Sequence, residues 1–268
     1  MNGKERMMSD QDGVAAQDLQ EFYETKYERS LEITSTPHDD DFLYSAILRQ
    51  VRPYMHPGLD VLDLGCNNGN LSFYMANCGC NVLGIDLARN AVDTAQQSAV
   101  HLGINNARFE SLDFLRDWRK PEAFDLVLCI SVIEHIPHDD QFLEKIAYAL
   151  RPGGRLVLFT CTTYSSLVYV NKLLYGTFAF DEEVGHLRRY TREGLCSLTE
   201  AAGFSVDNTV MLDSFLREWF ILVKPLRVFN KIWKLKYIRT AFNSLDSLIA
   251  RRVWPAGICV HALRQETP

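Results

Sequence analysis

From Leu59 onward, short apolar runs alternate with longer stretches of helical spacing. The runs are Val61–Leu64, Val82–Ile85, Ala107–Glu110, Phe124–Ile130 and Arg155–Thr160, followed by Ser205–Leu212 and Gly257–Leu263. Amphipathic segments such as Leu87–His101 and Asp139–Leu150 lie between most of them. Continuous apolar strands joined by helices predict a largely parallel sheet covered on both faces, since such strands have no polar side to offer water. Upstream, Asp18–Arg29 has helical spacing, with Leu19, Phe22, Tyr23 and Tyr27 near one face. Asp39, Asp40 and Asp41 offer a cap to a second helix carrying Phe42, Leu43, Ile47, Leu48 and Val51, which should stop before Pro53. The resulting layout is a disordered tail at 1–16, a helical segment at 17–57, a core at 58–212 completed by 251–268, and a helical insertion at 213–250.

Bulk properties narrow the class. A chain of 268 residues is long for one ordinary domain and short for two, so one domain with additions is expected. A hydrophobic fraction of 47% supports a large core. The net charge of −6 argues against general nucleic-acid binding, because neutralising phosphates requires a basic face. The seven cysteines are scattered and odd in number, which fits free thiols in a reducing, cytoplasmic setting. Cys78-Gly79-Cys80 has no second pair at zinc spacing, so no metal is expected there. The polar first 18 residues lack the apolar core of a signal peptide, and no stretch reaches membrane-spanning length.

The most informative segment is Val61-Leu62-Asp63-Leu64-Gly65-Cys66-Asn67-Asn68-Gly69-Asn70, a strand end, a glycine-containing turn and a helix start. In doubly wound sheets ligands sit beyond the C-terminal ends of the strands, at such turns. Gly65 and Gly69 permit close backbone approach and unusual dihedrals. The next run, Val82-Leu83-Gly84-Ile85-Asp86, ends on an acid able to accept hydrogen bonds from both hydroxyls of a ribose. That spacing also suits a dinucleotide enzyme, but the turn reads G-x-N-x-G and lacks the G-x-G-x-x-G pyrophosphate fingerprint.

As a set, these residues resemble the class I S-adenosylmethionine-dependent methyltransferases. Asp63 to Gly69 is similar to the family's first motif, Gly84-Ile85-Asp86 to the second and Ser111-Leu112-Asp113 to the third. Phe124 to Ile136, containing Glu134-His135, resembles the fourth, and Leu150-Arg151-Pro152-Gly153-Gly154 the turn into the fifth strand. The order and spacing hold over residues 58–212, and the nearest subgroup is the ubiquinone-biosynthesis-like small-molecule O-methyltransferases. One departure is Asn67 in place of the usual middle glycine; Asn tolerates left-handed dihedrals better than most residues. The resemblance implies a Rossmann-like, doubly wound α/β fold with a seven-stranded, mostly parallel sheet, and S-adenosyl-L-methionine as cofactor. It implies Asp63 and the backbone of Gly65, Cys66, Asn67 and Gly69 at the methionine end and Asp86 at the ribose. Asp113 would meet the adenine amine, Leu87 and Leu112 the ring faces, and Ile130 would contribute main chain.

Transfer to an alcohol needs a proton acceptor. His186, in the segment between the fifth strand and the helix starting near Thr191, is one candidate, and His135 is the other. Arg188 and Tyr190 share the His186 segment and are candidate acceptor contacts, as are Tyr23 and Tyr27 if the N-terminal helix closes as a lid. The blander reading of this segment is a Thr191 helix cap with a Glu183–Arg188 surface pair. In the insertion, Lys224, Arg227, Lys231 and Lys234 fall on one helical face and Leu226, Phe229, Trp233 and Tyr237 on another. That pattern over 224–239 reads as a peripheral membrane contact, a cap over a hydrophobic acceptor, or plain packing. The expected function is methylation of a small or lipid-like acceptor at a hydroxyl oxygen. The rivals are an RNA methyltransferase acting on ribose or base, and a non-catalytic partner protein that keeps the fold. Ile130-Ser131-Val132-Ile133-Glu134 lacks the N/D-P-P-Y/F element of amine-methylating nucleic-acid enzymes, and no nucleic-acid partner is expected. Oligomeric state is not legible.

Overall fold

The computed structural model describes residues 24–25, 35–165, 181, 184–214, 217, 236–252 and 255–266. Seven strands form one sheet in the order β3-β2-β1-β4-β5-β7-β6. They are β1 (Asp60–Leu64), β2 (Asn81–Asp86), β3 (Ala107–Ser111), β4 (Phe124–Ile130), β5 (Leu150–Cys161), β6 (Phe204–Ser214) and β7 (Pro255–Arg264). The helices are α1 (Ser45–Val51), α2 (Asn70–Asn77), α3 (Arg89–Leu102), α4 (Phe114–Asp117), α5 (Asp139–Ala149), α6 (Arg192–Ala201) and α7 (Lys236–Ala250). The chain divides into two compact units, Met1–Thr36 with His56–Arg119, and Pro37–Met55 with Lys120–Pro268.

In the first unit, β1, β2 and β3 pair in parallel, with Leu64 beside Ile85 and Asp86 beside Ser111. Four of the five β1 residues are buried, including Asp63, as expected of a strand with both faces covered. Gly84 lets β2 pass the Phe109 ring: a Cβ there would lie 2.6 Å from it. α3 ends on Gly103 in the left-handed conformation, the common glycine C-cap.

In the second unit, β4 pairs in parallel with β5, while β7 runs antiparallel between β5 and β6. β5 begins at Leu150, five residues before the expected Arg155, and its pairing with β4 shifts register between Phe124 and Leu126. Arg151–Gly154 therefore forms an irregularity within the strand rather than a turn before it. β6 runs through Asp213 and Ser214, so the segment expected to start the insertion is still sheet. α1 stops at Val51, before Pro53 as expected, and the chain continues as a 3-10 turn, Arg52–Tyr54. Asp41 does not cap α1, whose N-cap is Tyr44 with no side-chain cap hydrogen bond; it accepts from the backbone N–H of Leu43 (2.8 Å) in the turn ahead of the helix. In a buried network, Arg217 donates to Asp246 (3.0 Å) and Asn243 (2.9 Å) on α7 and to the carbonyl of Phe42.

Several expectations fall outside the described residues: the tail, Tyr23, Tyr27, Glu183, and 224–235 with the four basic and three of the four apolar positions of the proposed amphipathic helix. Within α7, Tyr237 is 88% exposed, while Arg239 is tied to Asp40 (2.7 Å). Among the described residues no helix is long and apolar enough to cross a membrane. All seven cysteines are free thiols, four of them buried.

Candidate functional site

In the first unit, the turn after β1 is tied to the end of β2. The backbone N–H groups of Gly65 and Cys66 donate to the carbonyl of Ile85 at 2.8 and 3.1 Å. Gly65, Asn67 and Gly69 all adopt left-handed φ values, of 69°, 51° and 88°. Asn67 supports its own unusual backbone, since its side-chain oxygen accepts from the N–H of Asn68 at 2.7 Å. Gly69 cannot carry a side chain without a clash, because a Cβ would meet Phe73 at 2.7 Å.

Two carboxyls flank this turn. Asp86 accepts from the backbone N–H of Asn67 and from that of Ala88, each at 2.9 Å, so it helps hold the turn in place. Burial raises its pKa against the opposing effect of those N–H donors. Asp63 is 2% exposed and accepts from Ser72 Oγ on α2 at 2.6 Å. Burial pushes its carboxyl up to about 7, aided by the charge of Asp86 and opposed by Ser72. Among the described residues neither acid forms an ion pair. The Cys66 thiol, buried beside both, is also pushed up and stays protonated. The third strand end joins the group: Leu112 N–H donates to the Asp86 carbonyl (3.2 Å) and Ser111 Oγ to that of Leu87 (3.3 Å). Leu87 and Leu112 are half-buried. Asp113 caps α4, accepting from Arg116 N–H at 3.0 Å.

In the second unit, Ile130 is half-buried at the end of β4, and Ser131 after it is left-handed (φ 56°). A 3-10 turn, Ile133–His135, then presents Glu134 and His135. Glu134 is 1% exposed and accepts from Thr160 Oγ1 on β5 (2.9 Å); burial raises its pKa. His135 Nδ1 donates to the carbonyl of Gly185 (2.9 Å), which leaves the lone pair of the neutral ring on Nε2. His186 lies edge-on to His135, ring centroids 4.9 Å apart, with its Nδ1 2.8 Å from Asp181 Oδ1. Burial alone would raise Asp181, but hydrogen bonds from His186 and Arg189 hold it down at about 2. An ionised Asp181 can only accept, so His186 also donates through Nδ1. Burial keeps the neighbouring Cys161 thiol at about 12, too weakly acidic to be a nucleophile.

The ligand atoms of Glu134, His135 and His186 lie within 4.8 Å of one another. Two imidazoles and one carboxylate form a donor set that could hold a divalent cation. His186 is 51 residues beyond His135, and nothing in the sequence spacing joins them as ligands. Sequence reasoning missed Ser72, Asp181 and Thr160, which orient the site groups. Tyr190 needs a correction as an acceptor contact: it is buried, and its hydroxyl donates to Asp139 at 2.8 Å. Arg188 pairs with the same Asp139 (2.7 Å) and donates to the Pro137 carbonyl. Asp139 thus anchors the His186 segment beside the 3-10 turn.

Comparison with known proteins agrees with this geometry. A family model described as a methyltransferase domain matches residues 36–209, more than half of the chain. The ubiquinone biosynthesis O-methyltransferase of Aeromonas salmonicida is 30% identical over 158 residues, covering 56% of this chain and 64% of that protein. The enzyme of the same name from a Chelativorans species is 35% identical over 113 residues, covering 42% and 43%. The matched stretches thus span about half the length of these relatives. Among solved structures, an S-adenosylmethionine-dependent methyltransferase from Mesorhizobium loti superposes with a TM-score of 0.58 at 18% identity, covering 83% of this chain and all of that one. The likeness in structure is one of fold, while the family match rests on the sequence, and by it this chain belongs to the methyltransferase domain family.

Proposed function

We propose that this protein is an S-adenosyl-L-methionine-dependent methyltransferase acting on a small or lipid-like acceptor at a hydroxyl oxygen. The observation that carries this reading is the pair Asp63, buried, and Asp86, half-buried, flanking a left-handed turn and forming no ion pair among the described residues. Buried acids without cations are costly. A ligand bringing an ammonium and ribose hydroxyls would compensate both, whereas a pyrophosphate would be repelled. Asp63 takes the ammonium and Asp86 the ribose. The backbone of Gly65, Cys66, Asn67 and Gly69 lines the methionine end, Leu87 and Leu112 flank the adenine, and Asp113 completes the contacts. The bound cofactor supplies an electrophilic methyl group.

In the other unit, Asp181 orients His186 through Nδ1 as the group to take the acceptor's proton, and His135 stands beside it as the alternative base. In-line positioning supplies much of the remaining acceleration. The Glu134–His135–His186 cluster favours a second reading of this step, in which a divalent cation binds the acceptor oxygen and lowers its pKa as a Lewis acid. The base reading expects activity to survive chelators; the cation reading expects loss and recovery on adding metal.

Support for a lipid-like acceptor, and for peripheral membrane contact, comes from α7, which exposes Tyr237, Leu245 and Leu248. Wild-type protein that ignores anionic vesicles at low salt removes the membrane contact. The test of the function is transfer of labelled methyl from the cofactor into fractionated extract. Label in the lipid or small-molecule pool is expected. Label in RNA selects the nucleic-acid rival, and no label in any pool, with the cofactor bound, selects the non-catalytic partner.

A further inference from the structure

Asp63 has a consequence for how the cofactor is admitted. Its carboxyl is enclosed, and among the described residues its one side-chain partner is the Ser72 hydroxyl, which can donate to an anion or accept from an acid. The described groups facing it are Ser72 from α2, Asp86 from β2 and Cys66 from the turn. None of these carries positive charge: one is a second acid, one a protonated thiol and one a neutral hydroxyl. An ionised Asp63 would therefore sit desolvated beside another carboxylate, the arrangement in which one of two acids keeps its proton. Resting on the reading above, we propose that ligand binding at this turn is a proton exchange: the free protein holds a proton between Asp63 and Ser72, and docking of a ligand ammonium expels it to solvent.

Discrimination by the ligand's amino-acid end then depends on pH. The Asp63 carboxyl titrates at about 7 in the free protein, so half of the molecules hold the proton at pH 7. Binding an ammonium-bearing ligand should release about half a proton there, and affinity should rise about eightfold from pH 6 to pH 7.5. Above about pH 8 the ligand's own amine begins to titrate, which sets the upper limit of the test. A ligand with the adenosine and sulfur but no amino-acid end should bind with no pH dependence from this source.

The test is titration calorimetry of the full chain in buffers of different ionisation enthalpy, using S-adenosylhomocysteine and 5′-methylthioadenosine. Proton release with the first ligand and none with the second supports the exchange. Binding of S-adenosylhomocysteine without proton release overturns the exchange and leaves the methyltransferase reading standing. No binding of either ligand overturns both. Asp63→Asn should abolish the release, and release that persists in that variant counts against Asp63. Should it fail to fold, Ser72→Ala serves instead: losing a donor to the anion should move the release midpoint upward, and an unmoved midpoint overturns the proposal.

Discussion

The two units treat buried charge in opposite ways. In the first, Asp63, buried, and Asp86, half-buried, have backbone or hydroxyl donors and no ion pair among the described residues. In the second, Asp181 meets His186 and Arg189, Asp139 meets Arg188, and Asp246 meets Arg217. The contrast separates receiving from positioning. An acid kept without a cation has its electrostatic demand met by an incoming ligand. An acid already paired can only hold its neighbours in place, as Asp181 holds His186. Glu134 stands between the classes, buried on a hydroxyl donor with His186 and Arg189 near enough to lower its pKa.

The largest expected effect breaks the contrast along function. His186→Ala should lower turnover by roughly two to four orders of magnitude and leave S-adenosylhomocysteine affinity unchanged. Near-normal turnover would make His186 a structural group, and a larger loss for His135→Ala would transfer the role of base. Asp86→Ala should do the reverse, weakening the ligand by about 1.5–3 kcal/mol in calorimetry. Because Asp86 also holds Asn67, its melting curve must accompany the binding measurement.

Stability offers a second division. Asp246→Ala removes one of two carboxylates paired with the buried Arg217, the other being Asp213 at 3.0 Å, and should destabilise by about 1–3 kcal/mol. Asp63→Asn should instead stabilise the protein at pH 8, by about 1–3 kcal/mol, because it removes an acid with no cation. Urea midpoints read both, and equal signs would erase the distinction.

A further effect is in pH dependence, and the signs follow from the pKa directions. Asp63 is raised to about 7 in the folded chain, so its contribution is fully present below its unfolded value near 4 and is lost as pH rises through 7. Asp181 is depressed to about 2, so its contribution is present above about pH 4 and is lost as pH falls toward 2. Asp63→Asn should therefore flatten the limb between pH 4 and 7, and Asp181→Asn the limb below pH 4. Melting temperatures across that range check each, and a pair of unchanged limbs would refute the assignment.

Much of this architecture is legible in the chain alone. Phe124–Ile130 was expected as a strand and is one, end to end, because an unbroken apolar run has one stable place in a covered sheet. Thr191 was read as a cap and accepts from Gly194 N–H at 3.1 Å, since capping needs information from only three residues. Asn67 was flagged as tolerating a left-handed backbone and adopts one. Pro152-Gly153-Gly154 misled by the same local logic: it has turn chemistry, yet lies within β5, where pairing on either side of the irregularity prevails.

The residues that orient the candidate site were out of reach for a different reason. Ser72 is nine positions from Asp63, Asp181 five from His186, and Thr160 twenty-six from Glu134, and none of these separations is a motif. Hydrophobic periodicity, turn chemistry and the order of motifs are properties of neighbouring residues, so the sequence by itself determined the strands, most helices and the acids at the strand ends. Which of those acids would meet a cation depends on groups that meet only after the sheet has formed. Only the tertiary structure decided that Asp181 would be paired and that Asp63 would have no ion pair among the described residues, because burial and charge pairing are set by distance in space.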